Sequence, residues 1–353
     1  MTVTPDAAPP TTPTLARLLP KVELHCHVEG AARPATIAAL ARANGVRLPT
    51  DDPAELFRFT DLDSFLAVYG IVCASLVTAD DFRRITYEAL EDAVAAGVRY
   101  REMFFSPGFV TALGVPVETV WAGIRAGVAD AHHDLDIRCR MILDVDKPAG
   151  ATAAEEMVAF AAAQGRELLV GVGGDSTERG VDHHQFAPAF ATAARAGLRR
   201  TFHAGEDGPA DNIRVAIEEL GCERIDHGFR LLDDPGLTRR VADDGIALTV
   251  CPISNVVIAN VIETVAQHPF ARQRDAGVLV TINSDDPGMQ GTTIADDYEQ
   301  VAAAFGYDLA TMEDIALGPI GASFAPDDEQ RALRTRFLAE FDDVRAAAGL
   351  PPR

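Results

Sequence analysis

Lysine is nearly absent from this chain. Of its 31 basic residues only Lys21 and Lys147 are lysines, and 53 acidic residues leave a formal net charge of -22 over 353 residues. Such a field repels polyanions, which excludes nucleic acid as a natural partner and disfavours a multiply charged nucleotide as substrate. Cysteine is scarce too. Cys26, Cys73, Cys139, Cys222 and Cys251 are scattered, odd in number and free of any C-x-x-C. That pattern argues against a disulfide framework or a structural zinc knuckle and fits a reducing cytoplasm. No apolar run approaches the ~18–20 residues of a membrane span. The first sixteen residues lack a basic n-region and an apolar h-region, so they do not read as a secretory signal. Their Pro, Thr and Ala content predicts a disordered leader over 1–16, followed by one domain over 17–353. A phosphate-binding glycine-rich turn is missing after the first β-like run, which counts against a doubly wound dinucleotide-binding sheet.

What is present reads as a soluble globular protein, with 48% apolar residues. Eight short β-like runs can be picked out: 21–27, 98–106, 137–145, 168–174, 198–204, 224–228, 247–251 and 278–283. Most are followed by amphipathic, alanine-rich helical patterns, such as 117–134, 151–164 and 182–196. Alternating strands and helices imply parallel strands, and eight of them predict a (β/α)8 TIM barrel. Helical segments over 34–44 and 61–96 form an insertion after the first strand. A charged amphipathic helix over 326–348 closes the chain.

The chemistry begins in Lys21–Gly30, KVELHCHVEG. Val22, Leu24 and Cys26 alternate with Glu23, His25 and His27, so both histidines leave one face of a strand and Cys26 leaves the other. A lone His-x-His is a weak signal, because two half-buried polar residues would look the same. In a barrel, however, active-site groups lie at the C-terminal ends of the strands. Polar residues at those ends are His25 and His27, Gly174 and Asp175, His203 and Glu206, His227, and Asp285 and Asp286. Three imidazoles and a carboxylate suit Zn2+ or another borderline divalent ion with a position left for water. Asp285 can ligate with one oxygen and accept a proton or hydrogen bond from that water with the other, while Asp286 must point towards a substrate. Gly205 permits a bend that returns the Glu206 carboxyl over the pocket, where burial would raise its pKa and fit it as a proton donor. His227, left over from the metal set, is suited to act as a base or to stabilise developing charge. Binuclear barrels often bridge their ions with a modified lysine on strand 4. That strand has no lysine here, which favours one metal over two.

KVELHCHVEG, HAGED, RIDHG, VCPISN and NSDDP, in this order and spacing, resemble the adenosine/adenine deaminase family of the amidohydrolase superfamily, from about Leu18 to Ala325. The resemblance implies zinc held by His25, His27, His203 and Asp285, with Glu206 protonating purine N1 and His227 assisting the hydroxide. It further implies that Asp286 meets purine N7, that the backbone of Gly174 meets N3, and that Glu29 lies near the sugar or base edge. The implied reaction replaces a 6-amino group by a 6-oxo group and releases ammonia. The H-x-E and P-C-x-x-C pair of the other zinc deaminase fold is missing.

Within the family, Glu29, Asp226, Ser176 and Ser284 are similar to the adenine branch. That branch usually reads FFDPQ where this chain has Phe104-Phe105-Ser106-Pro107-Gly108, and carries an aromatic near Gly288-Met289-Gln290. These positions are expected to line the pocket beyond the purine and to leave room for an N9 substituent. The expected function is therefore zinc-dependent deamination of adenine or adenosine, with an unusual N9-substituted adenine nucleoside as the alternative. A barrel hydrolase of another reaction class would need a second metal. An inactive purine-binding relative would be expected to lack Glu206, His227 or a ligand, and none is missing.

Overall fold

The computed structural model describes residues 11–353, and its strands close into a barrel. The strands are β1 (Lys21–Glu23), β2 (Val98–Phe105), β3 (Arg138–Asp146), β4 (Leu169–Asp175), β5 (Arg199–Arg200), β6 (His203–Ala204), β7 (Arg224–His227), β8 (Ala247–Val250) and β9 (Val280–Ile282). They form two parallel ladders, β1 to β5 and β6 to β9. The run expected as one strand over 198–204 is broken at Thr201-Phe202. Thr201 N–H still donates to the Val172 carbonyl (3.1 Å) and Asp226 N–H to that of Phe202 (2.9 Å), so β5 and β6 make one stave in two pieces. Eight staves result, as expected.

The seam between first and last staves is held partly by side chains. Regular pairing of β1 stops at Glu23, short of the expected His27, but parallel bridges join Cys26 to Asp285 and His27 to Phe104. Leu24 N–H donates to the Asn283 side chain (2.8 Å) and Ser284 N–H to Glu23 Oε1 (3.0 Å). His27 N–H donates to the Asp285 carbonyl (2.9 Å). Two backbone positions that strand pairing leaves open are thus satisfied by Asn283 and Glu23.

Alternation in the first stave separates Cys26 from His27 as expected but not Glu23, which shares Arg101 with Cys26 because the register slips by one residue between Glu23↔Arg101 and His27↔Phe104. Val22, Leu24 and Cys26 pack into the main apolar core with the surrounding helices. Phe104, Ile142 and Val170 form a separate inner cluster with Phe324. Below it, Arg224 pairs with Glu102 (2.7 Å) and lies 4.3 Å from the Phe324 ring centroid. Between the staves and the inserted helix, Arg101 pairs with Glu23 (2.6 Å) and donates to the Ala89 carbonyl (2.8 Å).

Between β1 and β2 the chain inserts helices at Pro34–Ala43, Leu62–Ala74 and Ala79–Ala95. Reciprocal capping boxes, Asp61 with Ser64 and Thr78 with Asp81, fix where the last two start. The C-terminal helix, Asp327–Ala347, carries three acidic residues in its first turn and buries Leu333, Phe337 and Phe341.

The expected leader is corrected where it falls on described residues. Thr12–Leu18 is a helix that buries Leu15 and Ala16. Pro13 sits in its first turn, where a missing N–H costs nothing. Lys21 Nζ donates to the carbonyls of Arg17 (2.8 Å) and Leu19 (2.7 Å), and Arg17 pairs with Glu299 (2.7 Å), so the segment is docked onto the barrel. Residues 1–10 lie outside the described residues.

Candidate metal centre and active site

Four of the expected residues meet at the C-terminal mouth. Donor atoms of His25, His27, His203 and Asp285 all lie within 4.8 Å of one another, and all four residues are buried. Asp285 Oδ1 is 3.2 Å from His25 Nε2 and 3.4 Å from His27 Nε2, while His27 Nε2 is 3.2 Å from His203 Nε2. His25 Nε2 is buried without a hydrogen-bond partner. An imidazole nitrogen in that state is costly unless something binds it, and a cation inside this donor set would do so. The set fits a divalent ion.

Outer partners orient these ligands. His25 Nδ1 lies 3.1 Å from Thr249 Oγ1. Thr249 and Thr201 hydroxyls donate to the two oxygens of Asp226 (2.7 and 2.6 Å), which faces His25 and His203 at 3.9 and 3.8 Å. Ser254 donates to Asp285 Oδ2 (2.6 Å). Such partners set tautomer and ring orientation in metal sites. Both lysines stand outside the donor set, with Lys147 Nζ donating to the His203 backbone carbonyl (3.0 Å).

Backbone shape explains how two adjacent aspartates share one cavity. Asp285 has φ 67° and His227 φ 61°, in the left-handed region that few non-glycine residues adopt. The twist at Asp285 breaks strand alternation, so Asp285 and Asp286 both line the cavity. Gly30 makes room for the second, because a Cβ there would lie 1.6 Å from Asp286 Oδ1. Gly205, at φ +70°, supplies the bend expected before Glu206.

Glu206 is buried, with Oε1 3.6 Å from His227 Nδ1. Burial, and then the charge of Asp285, pushes its carboxyl well above the usual range, so it is held protonated. Burial and the neighbouring His25 hold His227 well below its ordinary value, hence neutral. Asp286 is raised by burial and by Asp285. For Asp285 itself burial opposes ionisation, but His25 and His27 outweigh it and keep the carboxylate ionised. One carboxylate is thus charged among the imidazoles while two neighbours stay neutral, an acid/base division familiar from catalytic sites.

The cavity is lined by His27, His203, His227, Glu206, Asp285 and Asp286 on one side. Leu62, Phe65, Leu66 and Tyr69 of the inserted helix, with Phe109 and Ile258, form the other. That composition suits a flat aromatic ligand with a few polar edges.

Three expectations about the wall are corrected. Glu29 does not line the cavity. It is fully buried behind it, accepting from the Ser106 N–H (3.2 Å) and the Tyr69 hydroxyl (3.2 Å), both short polar donors that the strand end and inserted helix bring to it. Gly174 lies in β4 with its α-carbon against Phe202, and the wall is made by Asp175 and Ser176 after it. Gly288 and Met289 also stand away from the cavity, because Gly288 packs on the Ala31 and Ala32 backbone.

Sequence reasoning missed Asp144 and Glu178. Asp144 is fully buried with neither carboxylate oxygen hydrogen-bonded, 3.9 Å from His27 Nδ1. An aspartate interrupting the apolar run of β3 was the signal. Glu178 lies in the loop after β4, three residues beyond Asp175, and nothing in its sequence neighbours marks it.

The sequence model of the adenosine deaminase family matches residues 20–339. Adenine deaminase of Streptomyces coelicolor is 40% identical over 333 residues, covering 94% of this chain and 97% of that one. Adenine deaminase of Cupriavidus necator is 40% identical, covering 92% of each. Among solved structures, adenine deaminase from Arthrobacter aurescens superposes with a TM-score of 0.86 at 35% identity, covering 92% of this chain and 98% of that one. A zinc-bound amidohydrolase from Burkholderia ambifaria gives 0.89 at 30% identity, covering 96% and 94%. With the expected fold, a metal-ligand cluster and an acid above it already in place, these likenesses make the chain a member of the adenosine deaminase family.

Proposed function

We propose that this protein is a zinc-dependent hydrolase that deaminates adenine to hypoxanthine, releasing ammonia. The convergence of His25, His27, His203 and Asp285 beside a buried Glu206 is the observation that carries the reading. The four ligands would hold a single Zn2+, which when bound makes a water acidic enough to supply hydroxide near neutral pH. Glu206 gives its proton to purine N1, which draws electron density from C6 and opens that carbon to attack. Neutral His227 accepts a hydrogen bond or proton from the attacking oxygen. Asp286, kept protonated, donates to N7, and Asp175 and Ser176 at the end of β4 face the remaining edge of the purine. Leu62, Phe65, Leu66 and Ile258 press on the ring and exclude bulk water.

Adenine is favoured over its nucleosides by the two 40% relatives, both adenine deaminases. Five buried, unpaired thiols support a cytoplasmic setting. Among the described residues no helix is long and apolar enough to cross a membrane. The partner is a small purine rather than a nucleic acid.

The test is ammonia release by zinc-loaded protein on adenine, adenosine, 2′-deoxyadenosine and AMP. Adenine alone is expected to turn over efficiently. Glu206→Gln should keep zinc and purine while losing about 10²–10⁴-fold in kcat. Near-normal turnover of that variant would remove Glu206 from its role.

A further inference from the structure

Glu206 lies in the tight loop that follows β6, and that loop's shape has an unexpected source. The Glu178 carboxylate reaches across from the loop after β4 and is almost completely buried. Its Oε1 accepts from the N–H groups of Glu206 (2.8 Å) and Gly208 (3.2 Å). Its Oε2 accepts from the Gly205 N–H (3.0 Å) and the Asn212 amide (2.7 Å). Three backbone N–H groups of a four-residue stretch therefore converge on one carboxylate. The loop answers in kind, since Asp207 accepts from the Glu178 N–H (2.9 Å) and from the Thr177 hydroxyl (2.7 Å).

The fit leaves little slack. A Cβ on Gly208 would lie 2.6 Å from Glu178 Oε2, and one on Gly205 would lie 2.6 Å from Ile213. Hydrogen bonds to an ionised acceptor are stronger than neutral ones, and a carboxylate with four donors at fixed angles is a rigid anchor. Glu178 is absent from the cavity lining, whereas Glu206 is part of it.

We infer that Glu178 is a positioning residue for the reaction: it fixes the 205–208 loop so that the Glu206 carboxyl stands over the purine edge. Asp207 is the reciprocal half of this clasp. The inference rests on the proton-donor role proposed for Glu206 and deepens it.

Glu178→Gln preserves size but loses part of the clasp. Its single oxygen still accepts, whereas its NH2 faces the N–H of Gly205, so donor meets donor. The expected result is a fall in kcat of about 10–100-fold, the cost of misplacing a catalytic group by an ångström. KM for adenine and zinc content should stay within about threefold. A purely structural role would not predict the next readout. In a Glu206→Gln background, adding Glu178→Gln should cost nothing further, because the side chain it positions has already lost its proton.

Four kinetic constants, from wild type, both single variants and the double, separate the outcomes. A double variant no slower than Glu206→Gln supports the inference. Losses that multiply overturn it, since Glu178 would then act elsewhere. A normal kcat in Glu178→Gln, with Glu206→Gln crippled, overturns it while leaving the proton donor intact. A normal Glu206→Gln overturns the donor role and this inference with it. Gly208→Ala, which wedges the clasp open without removing its charge, is measured in the same cycle. It decides the matter if Glu178→Gln does not fold.

Discussion

The two ends of the barrel treat buried charge in opposite ways. At the lower end, Arg224 and Glu102 are matched at 2.7 Å, and Phe324 lies over the pair. At the upper end, His25 Nε2, His27 Nδ1, both Asp144 oxygens, Asp175 Oδ1 and Asp286 Oδ1 are buried without hydrogen-bond partners. One end is neutralised by the chain itself, the other left for something the chain must bind. Stability and function are therefore located at different places on the same strands, a separation expected of this architecture.

That contrast can be broken by substitution. The largest effect should come from Asp285→Ala, which removes the only carboxylate among the four clustered donors. Zinc retention and deamination should fall together, with turnover down by about 10³-fold or more. A full zinc complement on metal analysis would refute the ligand assignment. Next, Glu102→Ala at the lower end leaves Arg224 buried and unpaired. It should cost about 3–5 kcal/mol in denaturant unfolding, with kcat per folded molecule unchanged. A loss of activity without a loss of stability would mean that the ends are not separable.

Asp144→Asn should act with opposite sign on the two properties. Burial, then Asp175, raises the Asp144 carboxyl well above its usual range, so its charge opposes folding. Neutralising it should raise metal-free stability slightly while weakening zinc binding about 10–100-fold, because His27 loses its facing carboxylate. Equal metal affinity in the variant would show that Asp144 does not orient His27.

The smallest effect is acid lability away from the site. Burial pushes His268 down to about 3, followed in effect by Arg272, and burial also pushes His183 down to about 3. Both are neutral in the folded state, while the unfolded chain takes up protons near pH 6.5. Stability is thus fully present above about pH 6.5 and lost as pH falls towards 3. For His268 the loss is about 2 kcal/mol by pH 5. Phe270 N–H donates to His268 Nδ1 (3.0 Å), so Nε2 carries the proton towards Asn255 Oδ1 (3.1 Å). His268→Gln should flatten the dependence of unfolding midpoints on pH, and an unchanged slope would rule this histidine out.

Residues whose role follows from alternation were readable in the sequence. His25 and His27 lie two apart on a strand, so their shared face needed no structure, and Gly205 before Glu206 announced a bend. Asp285 was harder, since alternation alone would send Asp286 away from the site. The left-handed backbone at Asp285, stabilised only by tertiary contacts, admits both. Glu29 matched a motif, but a motif does not say which of two layers a side chain occupies. The helix Thr12–Leu18 was hidden because Pro13 reads as a breaker, and its docking depends on Glu299 nearly three hundred residues away. Glu178 was invisible for a similar reason, as all its partners but its own neighbours lie across the barrel mouth.

Three of the four clustered metal donors, His25, His27 and Asp285, flank the seam between the first stave and the last. The fourth, His203, comes from the middle of the chain. A polypeptide emerging from the ribosome therefore displays two histidines early but cannot assemble their site until residue 285 has been made. Metal capture then acts as a clasp on a finished hoop, joining the two ends of the sheet. A chain truncated before that point would keep most of the fold's sequence but lack the one carboxylate of the proposed zinc site.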